Sequence, residues 1–450
     1  MGKNINMTQG PSGKQILLFA LPMMLGNVFQ QLYTVVDTAI VGKGVGMAAL
    51  AALGTVDWLN WMYLGIVQGF AQGFSVLMAQ KFGEGDENGL KHAVGNSARL
   101  SIYIGGITLF LGQVCLPLFL NLLKVPDELR PMAVHYSRII MLGIPAAMLF
   151  NFAAGTLRAV GDSRTPLYAV AIASVTNIVL DCLAVFVLDL GITGAAVATV
   201  FSQCLSSVIC VTKIYRSQIV CFNRTHMKPN IRLTGRLMML GFPVTMQNIV
   251  ISVGGMAVTA VVNRFDTTFI AGFVATNKLY GVLEIAALSY GHAVTTFVGQ
   301  NFGAEKWDRI RSGVNKAVAI SLVTSAVIGS LMLTFGRDIT MLFISTESVT
   351  AATAAGETAY RYLSFMAVML PVLYLLYVYR SALQGMGNTV IPLVSGMIEF
   401  VIRVGCSAVI SFTLWRDGIF CAEVGAWLGA AIILAVSYYR NINIVIKNRS

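Results

Sequence analysis

Long apolar runs separated by short polar stretches make up almost all of this 450-residue chain. Each run is longer than the about 20 residues with which an α-helix crosses the hydrocarbon core of a bilayer. The pattern therefore predicts an all-α polytopic membrane protein with twelve transmembrane helices. The predicted helices lie at 14–41, 48–80, 90–122, 130–157, 165–188, 191–215, 235–263, 268–300, 309–335, 346–383, 390–413 and 419–439.

The composition supports this fold class. The chain is 56% hydrophobic and 11% charged, with a formal net charge of +11, whereas roughly 25% of the residues in a soluble domain are charged. Such a chain cannot cover its surface with charge in water, so a soluble fold is excluded. We predict a multi-pass protein of a bacterial or archaeal cytoplasmic (inner) membrane, with the lipid bilayer as its surroundings.

The basic residues are unevenly distributed along the chain. The segment between the sixth and seventh predicted helices is rich in Lys and Arg and contains no acid. Basic residues also lie at the loop after the second helix (Lys81 and Lys91) and at the loop after the eighth (Lys306, Arg309 and Arg311). Cytoplasmic loops carry such an excess of positive charge. We therefore predict that both termini and the even-numbered loops are cytoplasmic. This distribution explains the net charge, and we predict no nucleic-acid partner.

Four segments of the first half recur in the same order in the second half, 220 to 226 residues later. Ordered matches at a nearly constant offset indicate an internal duplication. The matching segments are LFALP at 18–22 and MLGFP at 239–243, LGT at 53–55 and VAT at 274–276, AQKFGEG at 79–85 and GQNFGAE at 299–305, and LRAVGDSRTPL at 157–167 and LQGMGNTVIPL at 383–393.

The duplication predicts two lobes of six helices each. We place the N-terminal lobe at 1–216, a basic cytoplasmic linker at 217–233 and the C-terminal lobe at 234–450. Because six is even, both lobes insert with the same orientation and are related by a pseudo-twofold axis along the membrane normal. Parallel repeats around a central cavity are typical of transporters.

The sequence lacks the common motifs of enzymes and of cofactor sites. The seven cysteines form no CxxC pair, and neither HExxH nor GxSxG occurs. No phosphate-binding loop with the GxxxxGK[ST] spacing is present either. We predict that the chain is not an enzyme, that it uses no cofactor, and that any transport is driven by an ion gradient.

Asp37 and Asp181 of the N-terminal half fall inside predicted helices. A charge at the middle of a bilayer costs about 2.5–3.5 kcal/mol, so such a residue needs a functional or structural reason. Asn177 lies one turn before Asp181 and shares its helix face. The same lobe offers further polar side chains on neighbouring helices: Gln30, Tyr33, Thr34, Asn151, Thr199 and Gln203.

Two carboxylates in a partly dry pocket cannot both ionise easily, so a proton can be held there. Oxygen atoms from Asp, Asn and Thr are also the ligands that a hard cation prefers. The coupling ion is therefore predicted to be H⁺ or Na⁺, with Asp37, Asn177, Asp181 and Thr199 as ligands in the second case. A purely structural role as interhelical hydrogen-bonding groups is the alternative.

The C-terminal half carries a different set of polar residues. Tyr280 and Glu284 share one helix face, and Glu399 and Arg403 are four residues apart and can pair directly. We favour an internal ion-pair network that satisfies itself. The alternative is that these four residues, together with Gln30, Thr34, Gln203 and Gln247, line a cavity for a cationic substrate.

The chain resembles the multidrug and toxic compound extrusion (MATE) family, and within it the DinF-type branch, which is similar in having an aspartate in the first helix. The segments that carry the resemblance are VVDTAIVG at 35–42, AQKFGEGD at 79–86, LRAVGDSRTPL at 157–167, NIVLDCLAVFVLDLGITGAAVATVFSQ at 177–203 and GQNFGAEKWDRIR at 299–311.

This resemblance implies cation-coupled antiport and a cation site in the N-terminal lobe. It carries this role onto Asp37, Asn177, Asp181, Thr199, Tyr33 and Asn151. It also implies that loading Asp37 bends the first helix near Pro22, which would then be a hinge rather than a passive kink. Other branches use a glutamate in the seventh helix, where this chain has Met246, Gln247 and Asn248, so the N-terminal lobe is favoured.

The functional hypothesis is a secondary exporter of amphipathic, often cationic, small molecules that works by alternating access and acts as a monomer. The alternative is a flippase or exporter of lipid-linked saccharides or another lipid-like substrate. A pyrophosphate-linked substrate would favour basic residues in the cavity, whereas the predicted N-terminal cavity is acidic.

Overall fold

A computed structural model describes residues 5–122, 125–341, 349–413 and 416–447. Throughout these ranges the regular structure is helical, with thirteen α-helices and one π-helical turn between α6 and α7. The helices are α1 (Ser12–Gly44), α2 (Met47–Glu84), α3 (Glu87–Leu122), α4 (Arg130–Leu142), α5 (Ile144–Ala159), α6 (Arg164–Cys182), the π-helical turn (Leu183–Val187), α7 (Gly191–Tyr215), α8 (Ile231–Val262), α9 (Thr267–Gly303), α10 (Trp307–Met341), α11 (Val349–Gly385), α12 (Val390–Thr413) and α13 (Gly418–Lys447).

Eleven of these helices are long and apolar enough to cross a membrane, and α4 and α5 form one further span bent by 41°. The bend falls at Gly143, two residues before Pro145 in the first turn of α5. Proline lacks a backbone N–H and its ring clashes with a carbonyl of the preceding turn, so a continuous helix is interrupted near it. With the bent pair counted as one span, the predicted all-α fold with twelve spans is confirmed.

The chain folds into two compact units whose limits fall inside helices. The first unit consists of Met1–Thr8 and Leu21–Ile249, and the second of Gln9–Ala20 and Val250–Ser450. Helices α1 and α8 therefore each contribute residues to both units. In α1 the change of unit falls between Ala20 and Leu21, one residue before Pro22, which is predicted to act as a hinge.

Within the first unit, α2 and the beginning of α8 pack backbone against backbone. A Cβ atom built on Gly73 would lie 2.6 Å from the backbone nitrogen of Gly241 and 2.7 Å from the carbonyl carbon of Leu240. One turn earlier, a Cβ on Gly69 would lie 2.5 Å from the Cα of Thr245. Small residues at such contacts let two helices approach more closely than side chains allow.

Replacing Gly73 by Ala is expected to lower the free energy of unfolding by about 1–3 kcal/mol, because the added methyl group collides with backbone rather than with a movable side chain. Thermal unfolding of the purified protein in one detergent would measure the change. Gly106→Ala in α3 is the matched control, since a Cβ there meets nothing within 4 Å and alanine is the better helix former. Equal destabilisation by both variants would contradict the close helix contact.

Candidate functional site

Helices α1 and α6 lie side by side and run in the same direction. A Cβ on Gly26, in the middle of α1, would lie 3.8 Å from the Cα of Leu167 near the start of α6. At the end of α1, Gly44 packs directly against Val185 in the π-helical turn that follows α6. Because the contacts advance in the same order along both helices, side chains between these two contacts can face a common space.

The predicted acids Asp37 and Asp181 meet in that space. Asp181 is fully buried and Asp37 is partly buried, and the two carboxyl groups lie within hydrogen-bonding reach of each other. In the described part of the chain, no other donor reaches Oδ1 of Asp37 or either oxygen of Asp181. Ionised carboxylates only accept hydrogen bonds, so the two groups can bond only if they share a proton, and otherwise they need a cation.

Asn177 and Tyr33 lie beside this carboxyl pair on the same two helices. Asn177 is buried one helical turn before Asp181, and neither its amide oxygen nor its amide nitrogen has a partner among the described residues. Tyr33 lies one turn before Asp37 and within electrostatic reach of both carboxyl groups. The predicted core of the site, on the first and fifth predicted helices, is thus brought together.

Other predicted site residues direct their hydrogen bonds into their own helices. The amide of Asn151 donates to the Ala147 carbonyl at 2.9 Å, and the hydroxyl of Thr199 donates to the Ala195 carbonyl at 3.0 Å. In each bond the side chain is the donor, so the side-chain oxygen atoms of Asn151 and Thr199 can still accept a hydrogen bond or bind a cation. Asn151 and Thr199 can therefore serve a cation as ligands, but the recorded bonds do not tie them to Asp37 or Asp181.

Gln30, Thr34 and Gln203 make contacts of other kinds. The Thr34 hydroxyl donates to the Gln30 carbonyl at 3.0 Å, and both side chains are exposed. The side-chain oxygen of Gln203 lies against Gly143, since a Cβ built on that glycine would be 2.6 Å away from it. Gln203 therefore borders the break between α4 and α5.

The helix that carries Asp181 changes its winding immediately after it. Residues Leu183–Val187 form a π-helical turn, in which the Leu188 N–H donates to the Leu183 carbonyl at 2.9 Å, five residues back. A π-helical turn accommodates one extra residue and is frequent at functional sites. The change of winding begins two residues after Asp181.

Two further residues near the pair were not singled out in the sequence. Asp57 of α2 and Tyr136 of α4 both lie within electrostatic reach of Asp37. Asp57 precedes by two residues the candidate span that begins at Leu59, so it stands at the edge of the apolar pattern. Asp57 lies inside the predicted helix at 48–80, and a charged residue within an apolar helix is the signal by which the sequence could have identified it. Nothing in the sequence distinguishes Tyr136 from other tyrosines.

The second unit contains a buried ion-pair network across α11, α12 and α13. Glu399 pairs with Arg380 and with Arg403, the latter at 3.4 Å. Arg403 also donates to both carboxylate oxygens of Glu423, at 2.9 and 2.8 Å. The predicted contact between Glu399 and Arg403 is present, and two partners from other helices complete it. Two arginines and two glutamates balance one another, which favours the interpretation of an internal network.

Glu284 of α9 has a different environment. Its carboxyl group accepts hydrogen bonds from the phenols of Tyr280, at 3.3 Å, and Tyr377. The Tyr280 ring stacks on Trp427 with 5.8 Å between ring centroids. Gln247 of α8, in the first unit, is buried. A role of Glu284 or Gln247 toward a substrate stays a prediction.

The polytopic fold and the buried carboxyl pair on neighbouring membrane helices define a membrane transporter. The MatE family model matches residues 22–183 and again 243–409. The chain therefore belongs to the MATE family of multidrug efflux transporters, as the resemblance indicated. The two matches begin 221 residues apart, the offset at which LFALP recurs as MLGFP, which confirms the internal duplication.

Relatives support this assignment along the whole chain. A probable multidrug resistance protein of Bacillus subtilis, YpnP, is 30% identical over 447 residues, covering 97% of both chains. The probable multidrug resistance protein NorM of Thermotoga maritima is 23% identical, over 92% of this chain and 88% of the relative. A transporter of the MOP superfamily from Pyrococcus furiosus is similar in structure, with a TM-score of 0.92, 22% identity and 99% of each chain covered.

Proposed function

We propose that this protein is a secondary antiporter that exports amphipathic, often cationic, organic compounds in exchange for H⁺ or Na⁺. The carboxyl pair of Asp37 and Asp181 is the coupling site. The observation that carries the proposal is that these two buried groups face each other while no other donor in the described chain reaches three of their four oxygens. Such a pair needs a cation between its members, and a bound cation is what an antiporter exchanges.

The charge of the pair supplies the coupling. When a proton or a sodium ion is bound, the net charge of the pair is reduced and its burial costs little. When the ion leaves, two negative charges remain in a medium of low dielectric and repel each other. A cationic substrate relieves this repulsion as the ion did, so ion and substrate compete. Linkage makes the effect reciprocal, because each ligand weakens the binding of the other by the same factor.

Helix α1 is the element suited to respond to this charge. Pro22 lies in its interior, fifteen residues before Asp37, and removes the backbone hydrogen bond that another residue would make there. A helix bends most easily at such a point. We propose that loading of Asp37 changes the bend of α1 at Pro22, as the family resemblance implies.

The same oxygens suit sodium as the transported ion. Asp181, Asp37 and Asn177 present oxygens that accept no bond from a conventional donor in the described chain, and the Thr199 hydroxyl oxygen can still accept. Carboxylate, amide and hydroxyl oxygens are ligands for hard cations. Proton and sodium therefore compete for one set of atoms, and only a measurement with separate gradients separates them.

The names of the relatives support the substrate class, since YpnP and NorM are both described as probable multidrug resistance proteins. We propose that the chain acts as a monomer in a bacterial or archaeal cytoplasmic membrane with both termini in the cytoplasm. We also propose the lobe limits 1–216 and 234–450 and membership of the DinF-type branch.

Efflux of a fluorescent cationic dye from proteoliposomes tests the proposal. The purified protein is reconstituted, and dye release is followed under an imposed proton gradient and, separately, under an imposed sodium gradient. We expect one gradient to drive dye out of the liposomes; a tenfold ion gradient supplies about 1.4 kcal/mol, which sustains about a tenfold dye concentration ratio when one ion is exchanged per dye molecule. If neither gradient drives efflux of any dye, the proposal of drug antiport is contradicted. The alternative hypothesis, export of a lipid-linked substrate, is then favoured.

A further inference from the structure

The first turns of α10 carry a surface groove of about 450 Å³ within the second unit. Its walls combine basic and polar side chains with one acid, and it lies away from both the carboxyl pair and the buried ion-pair network in sequence. The lining residues are Asp308, Arg311, Ser312, Asn315, Lys316 and Ala319.

The polar wall of this groove is held in place by neighbouring helices. The hydroxyl of Tyr439 in α13 donates to the side-chain oxygen of Asn315 at 3.3 Å and is itself 3.2 Å from the hydroxyl of Tyr379 in α11. On another side, the start of α1 packs against Lys316, since a Cβ on Gly13 would lie 3.4 Å from the Cβ of that lysine. Residues of α13 and α1 therefore contact the α10 residues that line the groove.

The charge of the groove favours an anion. Arg311 and Lys316 are exposed, and neither forms a salt bridge within the part of the chain that the structure describes. Asp308 is the single acid of the lining. Two further exposed bases follow directly on bordering residues, Lys14 after Gly13 and Arg440 after Tyr439. Arginine and lysine beside polar hydroxyl and amide groups are the side chains that bind phosphate.

An apolar ridge leads away from the groove along the same helix. Every fourth residue of α10 forms a row on one side of the helix, and the row that starts at Arg311 and Asn315 continues with exposed apolar side chains. Val323 and Val327 are 65% and 55% exposed. The continuing residues of the row are Ala319, Val323, Val327, Leu331 and Phe335, all of them exposed.

We propose that this groove binds the headgroup of an anionic phospholipid, whose acyl chains lie along the apolar ridge of α10. The phosphate contacts Arg311 and Lys316, and the polar part of the headgroup contacts Ser312 and Asn315. A free phosphate would use the same basic groups but gains nothing from the ridge. Basic pockets between membrane helices at the membrane surface are suited to such headgroups. The site is independent of the ion and of the compound that the protein transports.

The test is the retention of phosphatidylglycerol by the purified full-length protein, titrated in detergent micelles and followed by native mass spectrometry. Phosphatidylcholine with the same acyl chains and glycerol phosphate without chains are the comparison ligands. We expect phosphatidylglycerol to bind at least about fivefold more tightly than either. Arg311→Gln combined with Lys316→Gln is expected to weaken its binding roughly 25-fold, which corresponds to about 2 kcal/mol for two basic groups.

Arg224→Gln combined with Lys228→Gln is the matched control, since it removes two exposed positive charges from the basic loop before α8 and should leave retention unchanged. Equal losses in both double variants would overturn the site in favour of general attraction by net charge. If glycerol phosphate binds as tightly as phosphatidylglycerol, the site binds a free anion and not a lipid. If phosphatidylcholine binds as tightly, the negative charge of the headgroup does not contribute and the proposal is overturned. If the double variant folds poorly, binding of the three ligands to the wild-type protein still tests whether the site prefers an anionic phospholipid.

Discussion

Asp37→Asn is expected to reduce gradient-driven dye efflux about 100-fold, because coupling free energies of 1–3 kcal/mol correspond to factors of about 5–150. The amide cannot lose a proton and carries no charge. The amide also donates a hydrogen bond to Asp181. This bond is permanent, and it stabilises the Asp181 carboxylate as the bound cation does in the wild-type protein. The variant would therefore stay in the loaded condition. Efflux from proteoliposomes under the driving gradient, with the amount of reconstituted protein matched, measures the effect.

The matched control is Asp127→Asn, which removes an exposed carboxylate of the same unit and should leave efflux unchanged. Because the two carboxyl groups act as one unit, Asp181→Asn should cost about as much as Asp37→Asn, and the double variant little more. Additive losses would show two independent sites. Undiminished coupled efflux by Asp37→Asn would exclude Asp37 from coupling.

Glu399→Ala is expected to lower the free energy of unfolding by about 3–5 kcal/mol, because it leaves two buried arginines without their shared carboxylate. Arg380 loses its ion pair with Glu399, and Arg403 loses one of its two ion pairs while it retains that with Glu423. The thermal unfolding midpoint in detergent, followed by intrinsic tryptophan fluorescence, should fall clearly.

An exposed ion pair of the same unit supplies the control for this prediction. Arg361 pairs with Asp417 at 2.7 Å while its side chain is 61% exposed, so Arg361→Ala should cost only about 0–1 kcal/mol. A small effect of Glu399→Ala, comparable with that of Arg361→Ala, would show that the arginines find other partners or water. In that case the Glu399 carboxylate of the wild-type protein would be available to bind a cationic substrate, which is the alternative to an internal ion-pair network.

The helices were predictable because the bilayer imposes them. A segment of more than 20 apolar residues has no other way to satisfy its backbone in lipid, so the predicted and observed spans differ mainly at their polar ends. Contacts between residues one helical turn apart could also be predicted from the sequence, as the ion pair of Glu399 and Arg403 and the hydrogen bond from Tyr280 to Glu284 show.

Contacts between helices were accessible only in part. That Asp37 and Asp181 belong to one site followed from the cost of burying each of them and from the family resemblance. The partnership of Arg403 with Glu423, or of Glu284 with Tyr377, depends on how α9, α11, α12 and α13 pack. Spacing along one helix contains no information on that packing. The π-helical turn also left no signal, because its apolar residues fit an α-helix equally well.

That turn has a consequence for how the sequence can change by insertion or deletion. Five residues wound as a π-helix amount to one residue inserted into an α-helical register. Loss of one residue from Leu183–Val187 would restore a regular α-helix and keep the register on both sides, because four α-helical residues turn the chain by about as much as five π-helical ones. Loss of one residue from α6 before Asp181 would instead rotate Asp181 by about 100° relative to the start of that helix. The site therefore tolerates a one-residue deletion in the apolar turn, whereas the same deletion a few residues earlier turns the carboxylate away from α1.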